Sequence, residues 1–250
     1  MNNLYQILLP AEFGFAILVF GLLFFIKAPY GRFLRSGWGP SLPAKWAWFL
    51  QEFPAFGTIL VLFLYFEAWS SPTAWVFLII WQVHYFHRTF FYPFQFGSGQ
   101  KPYPVLLVIF AVFFNLMNGF INGYYLFGKV NYSTDWLLDP RFIVGVAIFL
   151  GGYLLNKASD KRLAALKKEG NGDYIIPYGH VFKYVSCPHY LGEILEWTGW
   201  AILTWSMPGL AFAVFTFANL APRAVAHHRW YRQKFENYPA NRKALIPFIW

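Results

Sequence analysis

The chain has 250 residues, of which 58% are hydrophobic, 23% are aromatic and only 12% are charged, and its net charge is +9. An average soluble domain has about 25% charged residues, so this composition excludes a protein whose surface faces mainly water. The single cysteine, Cys187, excludes an internal disulfide and is expected to be a small buried side chain.

Seven apolar segments follow one another along the chain, and each approaches the roughly 20 residues that a membrane-spanning helix needs. They lie near residues 7–27, 46–69, 73–94, 103–126, 141–157, 189–206 and 208–226. The first segment lacks the basic start and small-residue cleavage site of a secretory signal peptide, so we expect a retained helix. The sequence predicts an all-α, polytopic membrane protein with about seven transmembrane helices in a single domain, residues 1–250.

The basic residues predict the orientation of this protein in its membrane. If the N-terminus is outside, 18 of the 20 lysines and arginines fall in inside loops or the cytosolic C-terminal tail. This asymmetry follows the positive-inside rule, so the net charge indicates topology and no nucleic-acid partner is expected. The longest polar stretch, residues 157–187, is expected to extend the fifth helix, turn at residues 170–173 and continue as an extended piece.

Ionisable residues inside apolar segments are costly and are therefore candidate functional residues. Glu12 and Glu67 lie near the expected outer ends of helices, where their carboxylates can reach water. Glu52 lies deeper, between Gln51 and Pro54. It must face a polar cavity, be protonated or form a hydrogen bond between helices.

Residues 81–94, WQVHYFHRTFFYPF, supply possible partners for Glu52. Tyr85 and Arg88 are three residues apart, and His84 and Arg88 are four apart, so each pair can share a helix face. A metal site is not expected, because the segment has no further Cys or acid to complete a ligand set. A phenol that donates to a carbonyl oxygen can stabilise negative charge there, although a tyrosine packed in the core remains the alternative.

A third group of polar residues collects at the inner ends of the last three segments. Asn156 and Asp160 are four residues apart, and Tyr190 and Glu193 are three apart. The group also contains Lys167, Lys168, Glu196, Arg223, His227 and Tyr231. This set suits a large anionic cofactor, with a basic patch for lipid head groups as the alternative. Because no glycine-rich dinucleotide fingerprint is present, a nucleotide would bind among the helices.

Several blocks of the sequence resemble the steroid 5α-reductase family (3-oxo-5α-steroid 4-dehydrogenases) from about residue 27 to the C-terminus. The blocks are WFLQEFPAF, HYFHRTFFYPF, KPYP, NKASD, PHYLGEILEWTGWAILTWSMP and RAVAHHRWYRQKFENYPANRKALIPFIW. Polyprenol and enoyl-CoA reductases share the outline of the C-terminal half, and membrane methyltransferases of the isoprenylcysteine type share part of it.

The resemblance implies a seven-helix membrane reductase that uses NADPH to convert 3-oxo-Δ4 steroids, such as testosterone and progesterone, into 5α-dihydro-3-oxo steroids. It implies a substrate half at about residues 1–130 and an NADPH-binding half at about residues 140–250. Tyr85 and Glu52 match the family's catalytic pair, which polarises the ketone while hydride reaches C5. Trp48, Gln51 and Asn118 are the expected substrate contacts.

The resemblance also implies a set of cofactor-binding residues. They are Arg88, Lys101, Asn156, Asp160, Lys167, His189, Tyr190, Glu193, Arg223, His227 and Tyr231. His189 and Lys167 replace an expected asparagine and arginine, and the fourth segment lacks a basic residue expected in animal enzymes. These departures leave open which steroid is the natural substrate.

The expected partners are a steroid from the lipid phase and membrane lipid, and the expected state is a monomer. A bacterial source is expected, which would place the protein in the inner membrane; a eukaryotic one would place it in the endoplasmic reticulum. Three other functions remain open: a reductase of the same fold acting on a sterol, polyprenol or enoyl-CoA, a methyltransferase using S-adenosylmethionine, and a non-catalytic scaffold.

Overall fold

The computed structural model describes residues 1–95, 101–171 and 173–250, and most of them are helical. The helices are α1 (Asn2–Phe25), α2 (Ala44–Tyr65), α3 (Pro72–Phe90), α4 (Tyr92–Gln95), α5 (Val105–Gly123), α6 (Pro140–Glu169), α7 (Pro188–Thr204) and α8 (Met207–Lys234). A π-helical turn, Tyr124–Lys129, continues α5, and short 3₁₀ helices occupy Gly31–Phe33, Ala68–Ser70, Thr134–Leu138 and His180–Lys183. The strands are β1 (Ser41–Pro43) and β2 (Pro102–Pro104).

Each of the seven predicted apolar segments contains a helix, which confirms a mainly helical membrane protein. Five helices of the described chain are long and apolar enough to cross a membrane. They are Asn2–Phe25, Ala44–Tyr65, Val105–Lys129, Pro140–Glu169 and Met207–Lys234. Helix α7 has only 17 residues, and α3 has 19 residues that include Gln82, His84 and Arg88. Seven crossings and the orientation of the termini therefore stay predictions.

The chain divides into two compact units, and the single-domain interpretation stays a prediction. Unit 1 comprises Met1–Glu12, Ala28–Ile143 and Ser206–Pro208, and unit 2 comprises Phe13–Lys27, Val144–Trp205 and Gly209–Trp250. Helices α2, α3 and α5 belong to unit 1, while α7 and most of α6 and α8 belong to unit 2. The boundary at residue 143 lies close to the expected division between substrate and cofactor halves.

Helix α2 is the centre of unit 1, because side chains of α3 and α5 donate hydrogen bonds to its backbone. Trp81 Nε1 donates to the carbonyl of Ala55 at 3.1 Å, and Asn115 Nδ2 donates to the carbonyl of Gln51 at 2.6 Å. These carbonyls flank Pro54, whose ring lacks the N–H that a helix normally uses. The bonds fix both neighbouring helices at the level of Gln51 and Glu52.

The two short strands form an antiparallel ribbon that departs from the all-α prediction. Leu42 pairs with Tyr103, and the ribbon continues when Ala44 N donates to the carbonyl of Lys101 at 2.8 Å. Prolines at both strand ends limit the ladder to three residue pairs. The ribbon joins the first residues of α2 and α5, so Tyr103 lies beside the first turns of α2.

Helices α6 and α7 pack in backbone contact within unit 2. A Cβ at Gly152 would lie 2.5 Å from the carbonyl oxygen of Gly192, and a Cβ at Gly192 would lie 2.5 Å from the amide nitrogen of Asn156. Real Cβ atoms do not approach backbone atoms this closely, so only glycine fits both positions. Small residues at such crossings let helix backbones approach in membrane proteins.

The long polar stretch agrees with the prediction in part. Helix α6 runs to Glu169, which confirms the extension of the fifth segment. Asp173 N donates to the carbonyl of Gly170 at 2.8 Å, as a turn requires, while Gly172 within it lies outside the described residues. Residues 174–178 form no regular element.

The prediction that Glu12 reaches water is wrong. Glu12 is fully buried within α1, which starts at Asn2. Glu67, in contrast, is exposed beside the last turn of α2, in agreement with the prediction. Cys187 is buried at 1% exposure, as predicted.

The close packing of α6 on α7 makes a direct prediction. We expect Gly152→Ala to destabilise the protein by about 1–3 kcal/mol, because the added methyl group must push the two backbones apart. Gly151→Ala is the matched control, since a Cβ at Gly151 meets nothing within 4 Å. Thermal unfolding in detergent measures the stability of both variants. Equal midpoint temperatures for the two variants would contradict the close packing of α6 on α7.

Candidate active site

A buried ion pair joins α2 to α3 in unit 1. Arg88 Nη2 donates to Glu52 Oε1 at 3.3 Å, and each side chain is only 10% exposed. Two charges can remain ionised at such depth only when they compensate each other. The prediction that residues 81–94 supply a partner for Glu52 is confirmed, and that partner includes the guanidinium of Arg88.

Aromatic rings cover the guanidinium of Arg88. Its Cζ lies 4.9 Å from the centre of the Trp48 ring and 4.5 Å from that of Tyr92, within the range of cation–π attraction. The Trp48 ring also lies 6.2 Å from that of Tyr103. Trp48, predicted to line a steroid slot, therefore also holds the charged pair in place.

Tyr103 is a site residue that the sequence analysis missed. Burial raises the pKa of its phenol, and the negative charge of Glu52 adds to that rise, while Arg88 opposes it. The phenol therefore stays protonated at neutral pH and can donate a hydrogen bond. The sequence block KPYP, which resembles the family, contains Tyr103. Nothing in the sequence, however, connects this tyrosine with Glu52.

Tyr85 lies on the face of α3 that packs against α2. Trp81 and Arg88 both bond to α2, and Tyr85 lies between them on the same helix face at 3% exposure. Its ring is 5.0 Å from that of Trp81 and 4.9 Å from that of His84. The phenol is thus held at the level of α2 between Glu52 and Ala55, and a catalytic role for it stays a prediction.

Gln51 and Asn118, the other predicted substrate contacts, are both buried, and each has one atom without a hydrogen-bond partner in the described part of the chain. These atoms are Gln51 Oε1 and Asn118 Nδ2. Asn118 belongs to a stripe of buried asparagines on α5, in which Asn122 Nδ2 donates to Asn118 Oδ1 at 2.8 Å. An open acceptor and an open donor in an apolar unit suit a polar ligand group.

Asn156 links α6 to α7 in unit 2. Its Nδ2 donates to the carbonyl of His189 at 3.0 Å and lies 3.5 Å from Glu193 Oε2. Its Oδ1 is buried and has no hydrogen-bond partner within residues 1–95, 101–171 and 173–250. Asp160, one turn further along α6, is also buried. The close approach at Gly192 places Asn156 beside the first turns of α7.

Arg223 and His227 of α8 both meet Tyr190 of α7. The hydroxyl of Tyr190 lies 3.3 Å from His227 Nε2, and the guanidinium carbon of Arg223 lies 5.4 Å from the centre of the tyrosine ring. The structure therefore brings these three predicted cofactor residues together. Arg223 Nη1 also lies 3.5 Å from Asn219 Oδ1.

The remaining predicted cofactor residues have different surroundings. Tyr231 is buried in a packed cluster, where its ring stacks on Tyr238 with centroids 5.3 Å apart. Lys167 is half-buried in the last turns of α6, and Lys101 is exposed next to β2. Binding of a cofactor by these residues stays a prediction.

A polar network that the sequence analysis missed holds the segment before α7. Ser186 Oγ lies 2.7 Å from both His228 Nδ1 and Tyr238 OH, and it donates to the carbonyl of Lys243 at 3.1 Å. Residues 184–187 also pair with residues 243–244 through backbone hydrogen bonds. The C-terminal segment thereby fixes the chain that leads to His189 and Tyr190.

Comparison with known proteins shows the family of the chain. A family profile described as 3-oxo-5-alpha-steroid 4-dehydrogenase matches residues 101–250. The chain is 42% identical to steroid 5-alpha-reductase DET2 of Arabidopsis thaliana over 92% of its length and 90% of that protein. It is 41% identical to 3-oxo-5-alpha-steroid 4-dehydrogenase 1 of Bos taurus, covering 95% of this chain and 94% of the relative.

A third relative covers most of the chain in the same way. The 3-oxo-5-alpha-steroid 4-dehydrogenase 2 of Rattus norvegicus is 43% identical over 89% of this chain and 88% of its own length. The chain belongs to the 3-oxo-5-alpha-steroid 4-dehydrogenase family, the steroid 5α-reductases, and is an oxidoreductase.

Proposed function

We propose that this protein reduces the Δ4 double bond of 3-oxo-Δ4 steroids such as testosterone and progesterone, with NADPH, to 5α-dihydro-3-oxo steroids. The observation that supports this most is the Glu52–Arg88 pair, which places charge and aromatic rings beside Tyr85 in an otherwise apolar unit. The family relation supports the same class of reaction. An apolar unit with one polar centre suits a rigid apolar substrate with one ketone.

Tyr85 has the central role in the proposed chemistry. Addition of hydride at C5 moves negative charge through the enone to the ketone oxygen, and a proton then reaches C4 from solvent or an acid. Tyr85 donates a hydrogen bond to that oxygen and stabilises the charge as it forms. Glu52, held by Arg88, positions the phenol, and Trp48, Gln51 and Asn118 contact the steroid.

NADPH, when bound, supplies the hydride for this reaction. The open Oδ1 of Asn156 can accept a hydrogen bond from a carboxamide, and the nicotinamide carries one. Arg223, together with Tyr190 and His227, offers a cation and rings suited to phosphate and base. Asp160, Lys167, His189, Glu193, Tyr231, Arg88 and Lys101 complete the proposed cofactor contacts.

We also propose a topology and a location for the enzyme. Seven helices cross the membrane with the N-terminus outside, so the basic residues and the cofactor face the cytosol. The steroid enters from the lipid phase, and the monomer is the active unit. The membrane is the inner membrane in a bacterium and the endoplasmic reticulum in a eukaryote.

The catalytic proposal is tested by Tyr85→Phe. We expect kcat for testosterone to fall by roughly 10²–10³-fold, because one charge-stabilising donor is lost while the ring and its packing remain. The 5α-dihydro product, quantified by mass spectrometry with purified protein and NADPH, is the measurement. NADPH binding, followed by fluorescence, should persist in the variant.

Tyr132→Phe is the matched control for this experiment. Tyr132 belongs to the same unit and packs against Phe77 near the other end of α3, so its hydroxyl should not affect turnover. A Tyr85→Phe enzyme that keeps near-full turnover would refute the catalytic role. Wild-type protein that binds NADPH but reduces no steroid would refute the proposed substrate.

Arg223→Ala tests the cofactor site. We expect KM for NADPH to rise roughly tenfold or more while KM for testosterone changes little, because a charged donor to phosphate is removed. Arg162→Ala is the control, since Arg162 pairs with Glu169 on the surface of the same unit at 3.0 Å. Equal loss of affinity for both substrates would indicate a folding role for Arg223.

A further inference from the structure

Glu12 is a buried acid that the proposed reaction does not use. Its side chain is fully buried, and neither carboxyl oxygen has a hydrogen-bond partner among the described residues. Burying a polar group without a partner is costly, so a carboxyl group in this state usually has a compensating role. Its burial within an apolar unit makes Glu12 a candidate binding group for a polar part of a ligand.

The register of α1 against α5 shows which part of α5 lies level with Glu12. Lys129 Nζ donates to Asn2 Oδ1 at 3.2 Å, and the Tyr5 ring lies 6.3 Å from that of Tyr125, so the helices are antiparallel. Seven residues forward from Tyr5 lead to Glu12. Seven residues back from Tyr125 lead to Asn118. The Tyr5 ring also lies 5.4 Å from that of Tyr124. Seven residues are about two helical turns, so this register places Glu12 at the level of Asn118.

Asn118 complements Glu12 chemically. Its Nδ2 is buried and has no hydrogen-bond partner among the residues that the structure describes, while its Oδ1 already accepts from Asn122. At the same level of the unit, the two residues thus present an open acceptor and an open donor that do not bond to each other. A hydroxyl group fits this pair, because it donates to a carboxyl oxygen and accepts from an amide N–H.

The pair lies near the proposed reaction centre but is not part of it. Asn115, one turn from Asn118 on α5, donates to the carbonyl of Gln51 next to Glu52. One turn is about 5 Å along the helix axis. A substrate whose ketone lies at Tyr85 can therefore bring a different part of its skeleton to Glu12 and Asn118.

We propose that Glu12 and Asn118 form a second polar subsite, which binds a hydroxyl group of the steroid remote from the enone. The inference rests on the proposed function and extends it to substrate choice. The enzyme then selects hydroxylated 3-oxo-Δ4 steroids over their unsubstituted counterparts. A substrate held at both ends is also fixed in its orientation relative to Tyr85.

The test compares testosterone with androst-4-en-3-one, which has the same enone and no 17-oxygen. We expect wild-type kcat/KM to favour testosterone by roughly tenfold or more, and Glu12→Leu to remove most of that preference. Glu67→Gln, which changes an exposed acid of the same unit, is the control and should keep the preference. A preference that survives Glu12→Leu would overturn the proposal.

Thermal unfolding provides a second readout that needs no turnover. Without ligand, Glu12→Leu should raise the melting temperature, because it removes an unpartnered buried carboxyl group. A fall of several degrees would show that Glu12 has a structural partner and would overturn the proposal.

Ligand-induced shifts separate this inference from the proposed function. Testosterone should raise the wild-type melting temperature more than androst-4-en-3-one does, and Glu12→Leu should make the two shifts equal. If wild-type protein reduces neither steroid, the proposed function is wrong and these shifts still decide the subsite. Equal melting-temperature shifts with the two steroids in the wild-type protein would overturn the proposed subsite.

Discussion

The ion pair between Glu52 and Arg88 is the interaction on which the architecture of unit 1 depends. Removing one partner of such a pair typically costs about 3–5 kcal/mol, because a charge is left buried alone. The surrounding structure reflects this cost. Trp48 and Tyr92 cover the guanidinium, and side chains of α3 and α5 fix both helices to α2 at this level. Tyr85 is thereby held beside the pair, so structural and proposed catalytic requirements coincide.

In unit 2, close packing of helices rather than an ion pair holds the polar side chains in place. Helices α6 and α7 approach until only glycine fits at positions 152 and 192, which sets Asn156 against the first turns of α7. The C-terminal segment, bonded to residues 184–187 and to Ser186, holds the chain before α7 from the other side. Tyr190, His227 and Arg223 then come together without a glycine-rich loop. The proposed nucleotide site therefore depends on helix packing rather than on a phosphate-binding turn.

Much of this could be predicted from the sequence, because long apolar segments specify helices and buried polar residues stand out within them. Glu52, Tyr85 and the polar residues of α6 to α8 were identified in that way. Other features depend on tertiary structure, which a single sequence does not encode locally. The packing of Tyr103 beside Trp48 requires the β-ribbon, and the burial of Glu12 depends on what covers α1. The number of membrane crossings stays open because α3 and α7 are short or polar for spanning helices.

The central claim is that hydride passes from NADPH to C5 of a 3-oxo-Δ4 steroid. It is tested most directly by incubating the purified protein with testosterone and NADPH that carries deuterium at both C4 positions of the nicotinamide. The account predicts a 5α-dihydro product with one deuterium, located at C5, and with a solvent-derived proton at C4. A product without deuterium at C5, or with a solvent hydrogen there, would contradict it.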